Sequence, residues 1–233
     1  MKHIRRYLPL VLAGAFTIPF ASAQSTFDIN IGFGAVQDSS ASTGIDTNYL
    51  DTNYLGSCSI GAFAGCSKTS NLSGFMMGVG GNLMLWKHFG VGAEVSFEPG
   101  KSDYVSLPVA GTGLSADEIQ SRSTFYDFNG IFVPVRAKKA SLQLAAGFGG
   151  MNLKFYENQS ASTALTGNQN YNQYFGSSNH FQVHGGAGVQ IYLTDHIFVR
   201  PQVDVHWVHN LSQFGRSTPI EAKVWLGYSF GGQ

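Results

Sequence analysis

Along most of this chain, segments of about ten residues alternate apolar side chains with polar or small ones, the period-2 signature of strands whose two faces meet unlike surroundings. Eight such segments follow one another. The first, Phe27 to Ala35, sets Phe27, Ile29, Ile31 and Phe33 against Asp28, Asn30, Gly32 and Gly34. Ser73 to Trp86 sets Phe75, Met77, Val79, Leu83 and Leu85 against Gly74, Gly78, Gly80 and Asn82. In Val91 to Glu98 the alternation is unbroken, with Val91, Ala93, Val95 and Phe97 opposite Gly92, Glu94, Ser96 and Glu98. Ser123 to Val135 is apolar on both sides near its end, and Asp127 and Asn129 mark its polar face. Ser141 to Tyr156 places Leu142, Leu144, Ala146 and Phe148 opposite Gln143, Ala145, Gly147 and Gly149, with its phase open past Gly150, where a bulge is expected. His180 to Leu193 opposes Phe181, Val183, Ala187, Val189 and Ile191 to Gln182, His184, Gly186, Gly188 and Gln190. The last two set Ile197, Val199, Val203, Val205 and Trp207 against Arg200, Gln202, Asp204 and His206, then Ala222, Val224, Leu226 and Tyr228 against Glu221, Lys223, Gly227 and Ser229.

The connections alternate in length. Lys87 to Gly90, Arg136 to Ala140 and Thr194 to His196 are tight, whereas Val36 to Leu72, Pro99 to Arg122, Glu157 to Asn179 and Val208 to Pro219 are long and rich in Ser, Thr, Asn and Gly. Short turns at one end and long loops at the other, with an even strand count, predict an all-β protein: an eight-stranded antiparallel up-and-down transmembrane β-barrel with the long loops extracellular. A soluble sandwich or barrel would show the same period. Its outer face would carry many Lys and Glu, and the polar faces here are Gly, Asn and Gln with scattered charges of both signs. Small residues beside large ones, such as Gly78 and Gly80 near Met84 and Trp86, suit the inside of a narrow barrel.

Composition agrees with that reading. Only 12% of residues are charged and the net charge is zero, so neither a well-hydrated surface nor nucleic-acid binding is supported. No stretch offers the 18 or more uncharged apolar residues of a spanning helix. At the N-terminus, Lys2, Arg5 and Arg6, the apolar run Leu8 to Phe20 and Ala21-Ser22-Ala23 read as a signal peptide. Residues 1–23 are thus expected to be removed between Ala23 and Gln24, leaving 24–233 as the barrel domain. Cys58 and Cys66, the only cysteines, lie in a Ser/Gly-rich stretch and are expected to form a disulfide in an exported chain. Asp46 to Leu50 is repeated as Asp51 to Leu55, a local duplication in a surface loop.

A basic side chain on the lipid face costs roughly 2–4 kcal/mol at the bilayer midplane. Glu94, Asp127, Arg200, Asp204, Glu221 and Lys223 are therefore expected in the lumen, which eight strands leave nearly filled by side chains. We expect a polar plug there, in which Glu94, Glu98, Asp127, Asp204 and Glu221 neutralise Arg200 and Lys223.

Several motifs resemble the small OmpA-like, opacity-type outer-membrane barrels. They are Gly186-Ala187-Gly188-Val189, Tyr192, Leu193-Thr194-Asp195-His196, Phe198-Val199-Arg200-Pro201 and Asp204, with Phe125 to Gly130 and Trp225 to Phe230. The resemblance implies an outer-membrane location in a Gram-negative bacterium, contact with outer-membrane lipid and lipopolysaccharide, insertion by the barrel-assembly machinery, and a monomer. Two departures stand out: Phe230 is followed by Gly231-Gly232-Gln233 where the family ends on an aromatic, and wall anchoring through a peptidoglycan-binding domain, as in OmpA proper, is not expected. Pro201, which has no N–H for a ladder, is expected to mark a bulge.

Candidate chemistry is sparse. A three-residue turn after Leu193 puts His184 opposite His206, with His180 and His209 nearby, a group able to bind a transition metal or sense pH. The sequence shows neither ligand spacing nor an acidic partner for it, so a hydrated lumen network is the favoured reading and no metal or cofactor is expected. Asp204, His206, His209 and Ser212 sketch a hydrolytic group of the kind a lipid A-modifying enzyme needs, but match no motif, and no enzyme activity is expected. Tyr49, Tyr54, Tyr104, Tyr171, Tyr174 and Phe175 give the loops adaptable contact surface. The expected function is a mainly structural or surface-interaction role with a largely closed lumen. Adhesion or ligand binding through the loops and a small pore are the alternatives.

Overall fold

The computed structural model describes residues 26–37, 67–68, 74–107, 117–163, 167–211 and 217–231. Ten strands run in chain order: β1 (Phe27–Gln37), β2 (Ser67–Lys68), β3 (Gly74–Met84), β4 (Phe89–Phe97), β5 (Ser102–Leu107), β6 (Asp117–Arg136), β7 (Ala140–Thr163), β8 (Gly167–Tyr192), β9 (Ile197–Val208) and β10 (Ile220–Ser229). Eight of them form a closed ring in the order β6-β4-β3-β1-β10-β9-β8-β7, shut by the pairing of β7 with β6. Every pairing is antiparallel, and β1 and β10 meet from Asp28↔Ser229 to Gln37↔Ile220, as an up-and-down barrel requires. The two short strands, β2 and β5, add a flap to the upper part of β6.

The alternation read from the sequence sorts inside from outside. On β1, Ile31 is 47% exposed and Asn30 only 5%. The outward row on all eight barrel strands is apolar, and the inward row carries the buried Asp, Glu, Arg, Lys, Gln and Asn. An exterior of this kind is stable only in lipid, because exposed apolar patches of this extent are not tolerated by a monomer in water. Closure leaves no strand edge within the belt, so its backbone polar groups are paired without water.

Four sequence expectations are corrected. β6, β7 and β8 continue far past the apolar belt, so much of 99–122 and 157–179 is strand instead of loop. The apolar signal stops at the lipid boundary, where Thr124, Asn152 and Asn179 turn polar side chains outward, while the hydrogen-bonded ladder simply goes on. No bulge occurs at Gly150: register is constant there and shifts between Phe155 and Tyr156. The phase therefore carries Met151, Leu153 and Phe155 inward. Nor does Pro201 mark a bulge, since its pairing with Val224 keeps the register of its neighbours and its side chain faces out. Trp86, expected beside the lumen glycines, lies on the exposed surface instead.

The large residue among those glycines is Trp225 of β10, which is fully buried in the lumen. A Cβ on Gly32 would come within 2.6 Å of its ring and one on Gly78 within 2.7 Å, so both positions must be glycine for the indole to lie across the barrel. Small residues facing a large one are how a narrow barrel fills its interior without overlap.

Candidate functional site

The lumen is built in layers. Near the turn-rich end lie Met84, Ile131 and Val133, which pack together. Asp28 is there too, reached by Gln190 Nε2 at 3.3 Å. Above them the polar plug forms around two cations supplied by β9 and β10. Arg200 Nη2 donates to Glu94 Oε1 at 3.0 Å, and Nη1 donates to Gln143 Oε1 at 2.9 Å. Lys223 Nζ sits 2.9 Å from Glu221 Oε2, 3.9 Å from Glu94 and 3.9 Å from Asp204, and donates to Ser96 Oγ at 2.8 Å. Gln202 Nε2 ties Asp204 into the group at 2.9 Å. Both cations also lie over the Trp225 ring, Lys223 at 4.8 Å and Arg200 at 5.6 Å, where the π-face attracts positive charge.

Of the residues expected in this plug, Glu94, Arg200, Asp204, Glu221 and Lys223 come together. Glu98 and Asp127 do not join the cations. Glu98 lies just past the end of β4, where one carboxylate oxygen accepts from the Ser123 backbone N–H at 2.8 Å and the backbone carbonyl accepts from Arg122 Nε. Burial holds its carboxyl above the ordinary range, opposed by the Ser123 hydrogen bonds and the Arg122 charge. Asp127 instead accepts from Gln182 Nε2 at 2.7 Å and stands 3.2 Å from His184 Nδ1.

That contact supplies the acidic partner the sequence seemed to lack. His184 and His206 face each other across β8 and β9, their rings 5.4 Å apart and stacked, as the turn geometry predicts. Asp127 comes from β6, two strands away, and crosses over Gly149 of β7, where any Cβ would meet its carboxylate oxygen at 2.8 Å. The missed signal is this glycine: a small inward residue on the strand between two polar ones lets their side chains meet. On the other flank, His206 Nε2 lies 3.4 Å from Glu221 Oε2, and Phe125 packs on the ring at 4.8 Å. His180 stays apart from the pair, donating to the His209 carbonyl at 3.1 Å and accepting from Ser178 Oγ at 2.9 Å.

A second layer of closure was not expected. Met76, Phe125, Met151, Leu153 and Phe155 point inward and are fully buried toward the loop end of the lumen, beside the buried Glu98, Ser121, Ser123 and Ser178. The hydrolytic grouping does not assemble among the described residues, since Asp204 is held by Gln202 and Lys223, His206 by Glu221, and His209 is exposed. Ser212, the Cys58–Cys66 pair, the Ala23–Gln24 cleavage site, the pentapeptide repeat, Tyr49 and Tyr54 lie outside the described residues. Tyr174 is exposed beyond the belt with its ring edge-on to Tyr156 at 6.1 Å, and Lys101 Nζ lies 3.9 Å above the Tyr156 ring.

No family model and no curated protein matches the sequence. Solved structures do. The chain is similar to Ail, the attachment invasion locus protein of Yersinia pestis, in a complex with the heparin analogue sucrose octasulfate, at 12% identity and a TM-score of 0.50, covering 89% of this chain and 99% of that one. It is equally similar to a major outer membrane protein from Thermus thermophilus, at 12% identity and a TM-score of 0.50 over 88% of this chain and 99% of that one. At this identity the likeness is one of fold, and it bears out the expected resemblance to the small outer-membrane barrels at that level.

Proposed function

We propose, taking the chain as an integral outer-membrane protein of this small eight-stranded kind, that it serves as a closed structural barrel carrying a surface-recognition ribbon, and not as an open pore. One observation carries the reading: the lumen is occupied at two successive levels. The plug of Arg200, Glu94, Gln143, Lys223 and Glu221 fills the middle. The fully buried Phe125, Met151, Leu153 and Phe155 fill the level above it. An ion crossing would have to break buried charge pairs and then displace these bulky side chains. Planar-bilayer recording of the refolded protein tests this. Long silent baselines support a closed barrel, and steady single-channel steps in the unmodified protein reject it.

The surface-recognition part rests on β6, β7 and β8, which rise beyond the lipid belt as a twisted ribbon flanked by β5. Strand pairing orders the backbone of the ribbon before a partner arrives, which lowers the entropic cost of binding. The crossed Tyr156 and Tyr174 rings with Lys101 are the kind of contact surface such binding uses. Cells displaying the protein with residues 157–173 replaced by a short turn should lose attachment to surfaces that the unmodified protein binds. Equal attachment would leave the structural role alone.

A further inference from the structure

We propose that the upper lumen holds one divalent transition-metal ion, bound by Asp127, His184 and His206. One ligand atom from each of these three buried residues lies within 4.8 Å of the others. Two imidazole nitrogens and one carboxylate oxygen suit zinc and its neighbours in the first transition row, and three protein ligands leave a fourth position for water. Bonds of about 2.0–2.2 Å to one ion need ligand atoms roughly 3.3 Å apart, so binding draws the three together from their present spread of up to 4.8 Å. Asp127 Oδ1 and His184 Nδ1 are already 3.2 Å apart.

The arrangement around the ligands points to a guest: both ring nitrogens of His206 and Nδ1 of His184 are buried without a hydrogen bond, and Glu221 Oε2 stands 3.4 Å from His206 Nε2. A carboxylate behind a ligating imidazole is the usual outer support of a metal site, and Gln182 Nε2 on Asp127 at 2.7 Å orients the third ligand in the same way.

The fully buried Phe125, Met151 and Leu153 above the site make exchange slow, so the ion is taken up as the barrel folds. The test follows from this. Untagged protein is refolded in detergent with cobalt(II), whose visible d–d absorption reports coordination by nitrogen and oxygen, then desalted and assayed for metal by mass spectrometry. The expected result is one cobalt per folded chain, retained through desalting with chelator and replaced by zinc when zinc is supplied during folding. His206→Gln should lower bound metal at least ~10-fold, while His196→Gln, in an exposed turn, should leave it unchanged. Unmodified folded protein that carries no cobalt and no zinc overturns the proposal. Because that outcome is read on the unmodified chain, it stands even if a ligand variant fails to fold. Equal metal content in unmodified protein and a folded His184→Gln/His206→Gln variant overturns it as well.

Discussion

Reversing the charge at position 200 should weaken the barrel. Arg200 is 1% exposed and has no water to fall back on, so its guanidinium is held by Glu94 at 3.0 Å and Gln143 at 2.9 Å. At an effective dielectric near 20, unit charges at that separation attract by about 5–6 kcal/mol. Part of this survives removal of the arginine, because Glu94 keeps Lys223 at 3.9 Å and Gln202 Nε2 at 3.4 Å. Arg200→Met, which keeps the length and drops the charge, should therefore cost about 3–5 kcal/mol, the usual loss when one partner of a buried pair is deleted. Arg200→Glu should cost more, since it sets a second carboxylate against Glu94. Urea midpoints of refolded protein in detergent micelles give the stabilities. The double variant Glu94→Arg/Arg200→Glu should recover part of the loss, with a coupling energy of about 1–3 kcal/mol. If Arg200→Glu leaves the midpoint as it was, the plug does not support this barrel.

Three further outcomes follow from other layers. Gly32→Val should destabilise by about 1–3 kcal/mol through overlap with the Trp225 ring, and Trp225→Leu in the same chain should relieve most of it, as urea midpoints will report. Val79→Arg, at a lipid-facing position 52% exposed, should cost roughly 2–4 kcal/mol in bilayers. An unchanged midpoint there would mean that this row does not face the membrane core. Glu98 holds its proton to higher pH in the folded barrel than the ordinary 4.5 it has when unfolded. Between those two values the native state binds more protons, so stability should fall as pH rises through the window above 4.5. Glu98→Gln should flatten that slope in urea titrations, and a slope that persists would place its origin elsewhere.

The strands in the belt were legible because lipid imposes a rule on every second residue, and Val91 to Glu98 could be assigned to faces without any structure. The location of Arg200, Lys223 and the carboxylates in the lumen followed from the same rule, since a charge on the other face is too costly. Past Thr124, Asn152 and Asn179 the outer face is wet, the rule lapses, and the upper halves of β6, β7 and β8 read as loop. Inside the lumen no rule of period 2 separates one inward residue from another. That Trp225 lies over Gly32 and Gly78, that Glu98 stays with Ser123, and that Asp127 reaches across Gly149 to His184 were decided by closure, which sets the stagger of each strand against its neighbours. The cross-strand pair His184–His206 was the exception, because a three-residue turn fixes register locally. The sequence alone thus determined which side chains share the lumen, a property of each strand by itself. Only the tertiary structure decided which of them touch, a property of the closed ring.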